Sequence, residues 1–252
     1  MSKLKKPLLF ALALLPLIVA ASYLATLMTL PQADSPAVKE AVKQLGSRQA
    51  LIAVSTAQSA LYAVLFAFFG YILARKLGLM RSFRPEKSKL LTTIIISSAG
   101  GAVFSLDAWT FAKLIPEVAE SYKTAKTFDA LTWGASVLYG GVVEELMMRL
   151  FLMSLTAFVA WKLFFRKEET ALSGVLIAAN ILAALTFAAG HLPSTLTLFG
   201  ALTPMIVFRC FLLNGAFGLI FGRLYRKYGI QYAMLSHALL HIVSKTIWLI
   251  AF

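Results

Sequence analysis

Gly140-Gly-Val-Val-Glu-Glu-Leu-Met-Met-Arg-Leu-Phe151 sets two adjacent carboxylates and an arginine inside a long apolar run. A charge at the centre of a bilayer costs at least ~2.5–3.5 kcal/mol, so an intramembrane glutamate is a functional-site hypothesis by default. Three such charges here fall within six positions. On a helix Glu145 and Arg149 are i,i+4 neighbours that can pair, while Glu144 points about 100° away. One carboxylate can be neutralised structurally and the other left for chemistry.

The rest of the chain agrees with a membrane setting. Of 252 residues, 60% are hydrophobic and 14% charged, with a mean hydropathy of +0.80; a soluble domain sits nearer ~45–50% and ~25%. Seven apolar runs approach the roughly 20 residues a span requires: 7–30, 50–74, 90–112, 130–161, 173–200, 204–222 and 230–252. The expected fold is therefore all-α, a polytopic bundle of about seven transmembrane helices around an intramembrane cavity. The run 7–30 exceeds an ordinary signal-peptide core of roughly 7–15 residues and reads as a retained first span. Between the first two spans, 31–49 carries mixed charge and reads as a short amphipathic helix at the interface.

The net charge of +13 does not point to nucleic acid, because the basic residues lie in short loops between apolar runs. That is the pattern of topology signals and of contact with anionic lipids. With the N-terminus cytoplasmic, fifteen basic residues fall on the inner side and six on the outer, Lys3 and Lys126 being counted among them. This asymmetry supports an N-in, C-out arrangement. The single cysteine, Cys210, lies in an apolar run and supports no disulfide framework.

All three histidines, His191, His237 and His241, lie in expected spans. Thr203-Pro204 reads as an N-cap followed by a first-turn proline, which lets span five continue to about Gly200 with a kink at Pro193. By the helical rise, His191 then lies roughly 13–15 Å and Glu144 roughly 21 Å from the outer end, with His237 roughly 11 Å from the inner end. The three then fall at similar depth. His237 and His241 share a helix face, with Lys245 and Trp248 continuing the stripe. Asp107 and Arg209, the other deep charges, either pair with each other or face a substrate. Asn180 and Asn214 read as interhelical hydrogen-bond residues, and the Gly100-Gly101 and Gly140-Gly141 pairs as points of close helix approach.

Such a set suits hydrolysis. A glutamate beside a neutral histidine can activate water, and a second histidine with a neighbouring donor can stabilise an oxyanion. The same three histidines and carboxylate also suit zinc, although no His-Glu-x-x-His helix is present.

Three motifs now stand in order: Glu144-Glu145-Leu-Met-Met-Arg149 as EExxxR, Phe187-Ala-Ala-Gly-His191 as FxxxH, and Ser-His237-Ala-Leu-Leu-His241. Together they resemble the CAAX-protease and bacteriocin-processing (Abi) family of intramembrane proteases. The resemblance covers roughly 130–245 of the chain and implies a catalytic core at 130–252 behind variable spans at 1–129. It implies Glu144 as general base on a water held with His191, Glu145, Arg149 and Phe187 as support, and His237 with His241 at the oxyanion. The family pattern has Asn or Asp where this chain has His241; a neutral histidine still donates one hydrogen bond. Family members have been argued to be metal-dependent or purely glutamate-dependent. The second is the expectation here, with Glu144, His191, His237 and His241 as the ligands if a divalent metal such as zinc is used.

The expected substrate is a membrane-associated peptide or protein tail, in what the compact length and short basic loops mark as a prokaryotic cytoplasmic membrane. Two other readings compete: a non-catalytic immunity or scaffold protein, which has no need of unpaired carboxylates in lipid, and a small proton-coupled transporter, for which no inverted repeat is visible.

Overall fold

Burial of apolar surface cannot sort these spans in lipid, so backbone satisfaction and small-residue packing shape the bundle. The computed structural model describes residues 4–29, 36–81, 83–124 and 130–251. The helices are α1 (Lys5–Thr29), α2 (Pro36–Leu45), α3 (Arg48–Lys76), α4 (Lys87–Ser105) and α5 (Pro116–Thr124). They continue with α6 (130–164), α7 (Ser173–Gly190), α8 (Leu192–Phe199), α9 (Pro204–Tyr228) and α10 (Ile230–Ala251). No strand occurs among the described residues, and the chain is an all-α integral membrane protein.

Among the described residues, six helices are long and apolar enough to cross a membrane: Lys5–Thr29, Arg48–Lys76, Lys87–Leu114, Ser173–Phe199, Pro204–Tyr228 and Ile230–Ala251. The remaining expected span, now α6, is helical throughout, but Ser136–Glu144 and Leu146–Met153 are wound as π-helix. The geometry drawn from α-helical spacing is thus modified along the very stretch that carries the charges. Helix α2 occupies the middle of the expected interfacial segment, whose residues 31–35 lie outside those described, as do Lys3, Lys126 and Phe252. The sixth span runs six residues beyond its expected end at 222, because its last turns carry Arg223, Arg226 and Lys227 and are no longer apolar.

Small residues bring the helices together. A Cβ on Gly101 would lie 2.7 Å from that of Val243, locking α4 to α10, and one on Gly70 would lie 2.9 Å from the Leu150 backbone, locking α3 to α6. Asn180 fills the gap left by Gly222 and donates from Nδ2 to the Leu219 carbonyl at 3.0 Å, joining α7 to α9. Asn214 departs from expectation: it donates to Cys210 O of its own helix at 2.9 Å. The Thr203 hydroxyl accepts from Ile206 N at 3.3 Å, capping α9 as its sequence predicts.

Asp107 and Arg209 pair, which settles their alternatives in favour of packing. Arg209 Nε donates to Asp107 Oδ1 at 2.7 Å, its Nη2 donates to Oδ2, and the Tyr122 hydroxyl donates to Oδ2 at 2.7 Å. The Arg209 guanidinium also lies 5.0 Å from the Phe199 ring centroid. This cluster ties the α4–α5 corner to α8 and α9. Removing one partner of a buried pair strands the other, at a cost of about 3–5 kcal/mol. We predict that Asp107→Ala lowers the unfolding free energy in detergent by about that amount, seen as a lower melting temperature, and that Asp107→Leu/Arg209→Met recovers most of it.

Candidate active site

The site is built from α6, α7, α9 and α10, and its centre is Glu145. This carboxylate is fully buried; Arg149 Nη1 approaches its Oε1 at 3.1 Å and His237 Nδ1 donates to the same oxygen at 2.9 Å. The i,i+4 pair read from sequence is present, with a third member brought by α10. Arg149 is buried too, and its guanidinium carbon lies 4.5 Å from the Phe187 ring centroid and 5.4 Å from that of Phe221. The aromatic faces give the cation a favourable electrostatic surface where water is excluded.

His237 is held on all sides. It stacks on Phe221 with centroids 4.4 Å apart and on His241 at 5.0 Å, and meets Phe187 edge-on at 5.8 Å. Because a carboxylate only accepts, the hydrogen bond to Glu145 fixes a proton on Nδ1 and leaves Nε2 to face Gly140 and Glu144 on α6. That nitrogen lies 3.8 Å from Glu144 Oε2. Glu144 is the half-open member of the pair: its side chain is 22% exposed, against 0% for Glu145.

On α7, Phe187 and His191 are i,i+4 and their rings meet edge-to-face at 4.6 Å. His191 Nδ1 lies 2.8 Å from the Phe187 carbonyl, which can only accept, so Nδ1 is the donor and Nε2 of the neutral ring carries a free lone pair. The helix breaks at this residue. His191 closes α7 and opens α8, because Pro193 has no N–H to offer the carbonyl of Ala189. The kink expected at Pro193 falls two residues earlier, on the histidine itself.

A cavity of about 220 Å³ lies against this cluster, lined by Tyr139, Glu144, Met147, Met148, Thr186, Phe187, Gly190 and His191. His237 and His241, from α10, meet α6 over Gly140. A Cβ there would lie 3.0 Å from His237 Nε2 and 3.1 Å from His241 Nε2, so the two imidazoles reach α6 only because Gly140 has no side chain. His241 Nδ1 is buried without a hydrogen-bond partner among the described residues.

All seven residues singled out from sequence thus gather in one cluster. Sequence missed Phe221, one of 19 phenylalanines with nothing to distinguish it, and Tyr139 on the cavity wall. Gly140 was visible as part of a pair, without its particular task. Among the described residues no three His, Cys, Asp or Glu side chains are grouped to hold a metal ion; His191 and His237 each commit one nitrogen elsewhere.

Filling the space over Gly140 should crowd both imidazoles. We predict that Gly140→Ala lowers stability by about 1–3 kcal/mol, as overpacking does, measured as thermal unfolding in detergent. Gly134→Ala, whose methyl would touch only Leu24 at an ordinary 3.5 Å, should stay within about 0.5 kcal/mol.

Comparison with curated proteins and with solved structures gives no match. Residues 126–243 match the Rce1-like family, described as type II CAAX prenyl endopeptidase, and they contain all three motifs and every residue of the cluster. Over these residues, just under half of its length, the chain is similar to the CAAX-protease-type intramembrane peptidases.

Proposed function

We propose that this protein is an intramembrane endopeptidase that hydrolyses a peptide bond in a membrane-associated peptide or protein tail, using Glu144 as its general base. The observation that carries this reading is the division between the two glutamates. Glu145 is buried and held by Arg149 and His237, while Glu144 lines a cavity together with His191. Only one of the two is free to handle a proton.

The chemistry follows from the fixed tautomers. A water in the cavity donates one O–H to Glu144 and the other to His191 Nε2, which exposes an oxygen lone pair to the scissile carbonyl carbon. As the new C–O bond forms, Glu144 takes the proton and the carbonyl π pair moves to oxygen. His237 in its imidazolium form donates Nδ1–H to Glu145 and presents Nε2–H to that oxyanion. Two carboxylates against Arg149 and His237 then sum to zero charge, which a water-poor site favours. His241 beside it supplies the second donor where the family pattern has Asn or Asp. When the tetrahedral intermediate collapses, the C–N bond breaks and Glu144 returns its proton to the leaving amine, releasing an acid and an amine.

This mechanism is glutamate-dependent without a metal cofactor. The setting we propose is a prokaryotic cytoplasmic membrane with the N-terminus cytoplasmic and anionic lipids beside the basic loops. Glu144→Gln keeps the shape and removes the base. We predict that reconstituted Glu144→Gln protein is expressed and folded like wild type but loses cleavage of a membrane peptide by about 10²–10⁴-fold, the range of general-base catalysis. Cleavage at the wild-type rate would overturn the assignment. Full activity of chelator-treated protein with no bound metal by elemental analysis is the matching expectation for the cofactor.

A further inference from the structure

The mechanism uses one wall of the cavity and leaves the other unexplained. Helix α7 presents two neighbouring stripes at i,i+4 spacing. Phe187 and His191 form the inner stripe, and Thr186 with Gly190 forms the outer lip, where both are exposed at the bundle surface. The Thr186 hydroxyl is spent on the Leu182 carbonyl at 2.9 Å, so the lip offers little polarity. Opposite stand Met147 and Met148, flexible apolar side chains that adapt to the shape of what they meet.

Gly190 differs from the packing glycines of this bundle. A Cβ on Gly70, Gly101 or Gly141 would lie under 3.0 Å from another helix, whereas one on Gly190 would meet no described atom within 4 Å. Its backbone is not left-handed either. Neither packing nor conformation therefore asks for glycine here. A helical Cβ leans toward the N-terminus, which aims a side chain at Gly190 along the stripe toward Thr186, across the cavity lip. An apolar cavity of about 150 Å³ accepts benzene, so one of about 220 Å³ has room for a phenyl or isobutyl group.

We propose that Gly190 is the size-determining residue of a substrate subsite: the cavity takes one large apolar side chain flanking the scissile bond, and the bare backbone at Gly190 keeps it open. This rests on the proteolytic reading above. Glu144 and His191 lie on the rim of the same cavity, so a side chain seated there brings the adjacent carbonyl up to them. The facing methionines make the subsite tolerant of shape and selective for size.

The test uses the full chain in phosphatidylcholine/phosphatidylglycerol vesicles with acylated fluorogenic peptides that carry alanine, leucine or phenylalanine beside the cleaved bond. Wild type prefers the larger residues in kcat/KM. Gly190→Leu, a good helix former whose Cβ meets no described atom within 4 Å, keeps the wild-type melting temperature and lowers the phenylalanine-to-alanine ratio by about tenfold or more, the scale of discrimination by an apolar pocket. Gly190→Ala moves the ratio the same way by less. Binding of the same peptides to Glu144→Gln, with and without Gly190→Leu, reads the subsite without turnover, and its Kd ratio shifts in parallel. No size preference in wild type, or a ratio that Gly190→Leu leaves unmoved in binding, overturns the subsite. A shifted binding ratio with no cleavage of any peptide by wild type upholds the subsite and sinks the proteolytic reading instead.

Discussion

The structure depends on one carboxylate oxygen. Glu145 Oε1 receives both the Arg149 guanidinium, 3.1 Å away and from its own helix, and His237 Nδ1, 2.9 Å away and from α10. A fully buried carboxylate is costly unless paired, and losing either partner strands a charge. This contact therefore registers α10 against α6 in both rotation and depth. It also fixes which nitrogen of His237 is left over. Glu144, His241 and the cavity wall take their positions from that register.

Such a register holds only if the backbones come close, and the glycines permit it. Gly140 and Gly141 face α10 across His237, Ala238 and His241, and Gly101 faces it from α4. Gly218 clears space for Arg149, whose Nη2 would lie 3.1 Å from a Cβ there. In lipid, where apolar side chains gain little by leaving hydrocarbon, close approach and interhelical hydrogen bonds supply the cohesion. Asn180 at Leu219, Ser97 beside Ser236 at 2.8 Å and Ser154 beside Tyr225 at 2.8 Å are contacts of this kind. Polarity is spent where helices touch.

Much of this was legible in the amino acids because charge in an apolar run is rare and costly. Glu144, Glu145, Arg149, Asp107, Arg209 and the three histidines could each be picked out by that alone, and helical spacing anticipated the Glu145–Arg149 pair. What could not be read depends on contacts far apart in sequence or on backbone winding. Tyr122 joining Asp107 and Phe221 backing His237 carry no local signature among many aromatics. The π-winding of 136–153 is invisible to a periodicity argument that assumes α geometry. The break at His191 was expected two residues later, because the missing proline N–H acts on the carbonyl of the turn before it.

The cavity beside Glu144 opens at the side of the bundle, between exposed Thr186 and Gly190, and is flanked by lipid-facing Leu182 and Leu185. A molecule entering by that route arrives along the plane of the bilayer. What governs its encounter with Glu144 is then a surface density, moles per area of membrane, and diffusion is confined to two dimensions. An apparent KM expressed per volume of solution would shift with the amount of lipid or detergent present, although nothing in the protein had changed. For the peptidase activity proposed, dilution of substrate within the membrane, at constant bulk concentration, becomes the natural axis along which kinetics should be compared.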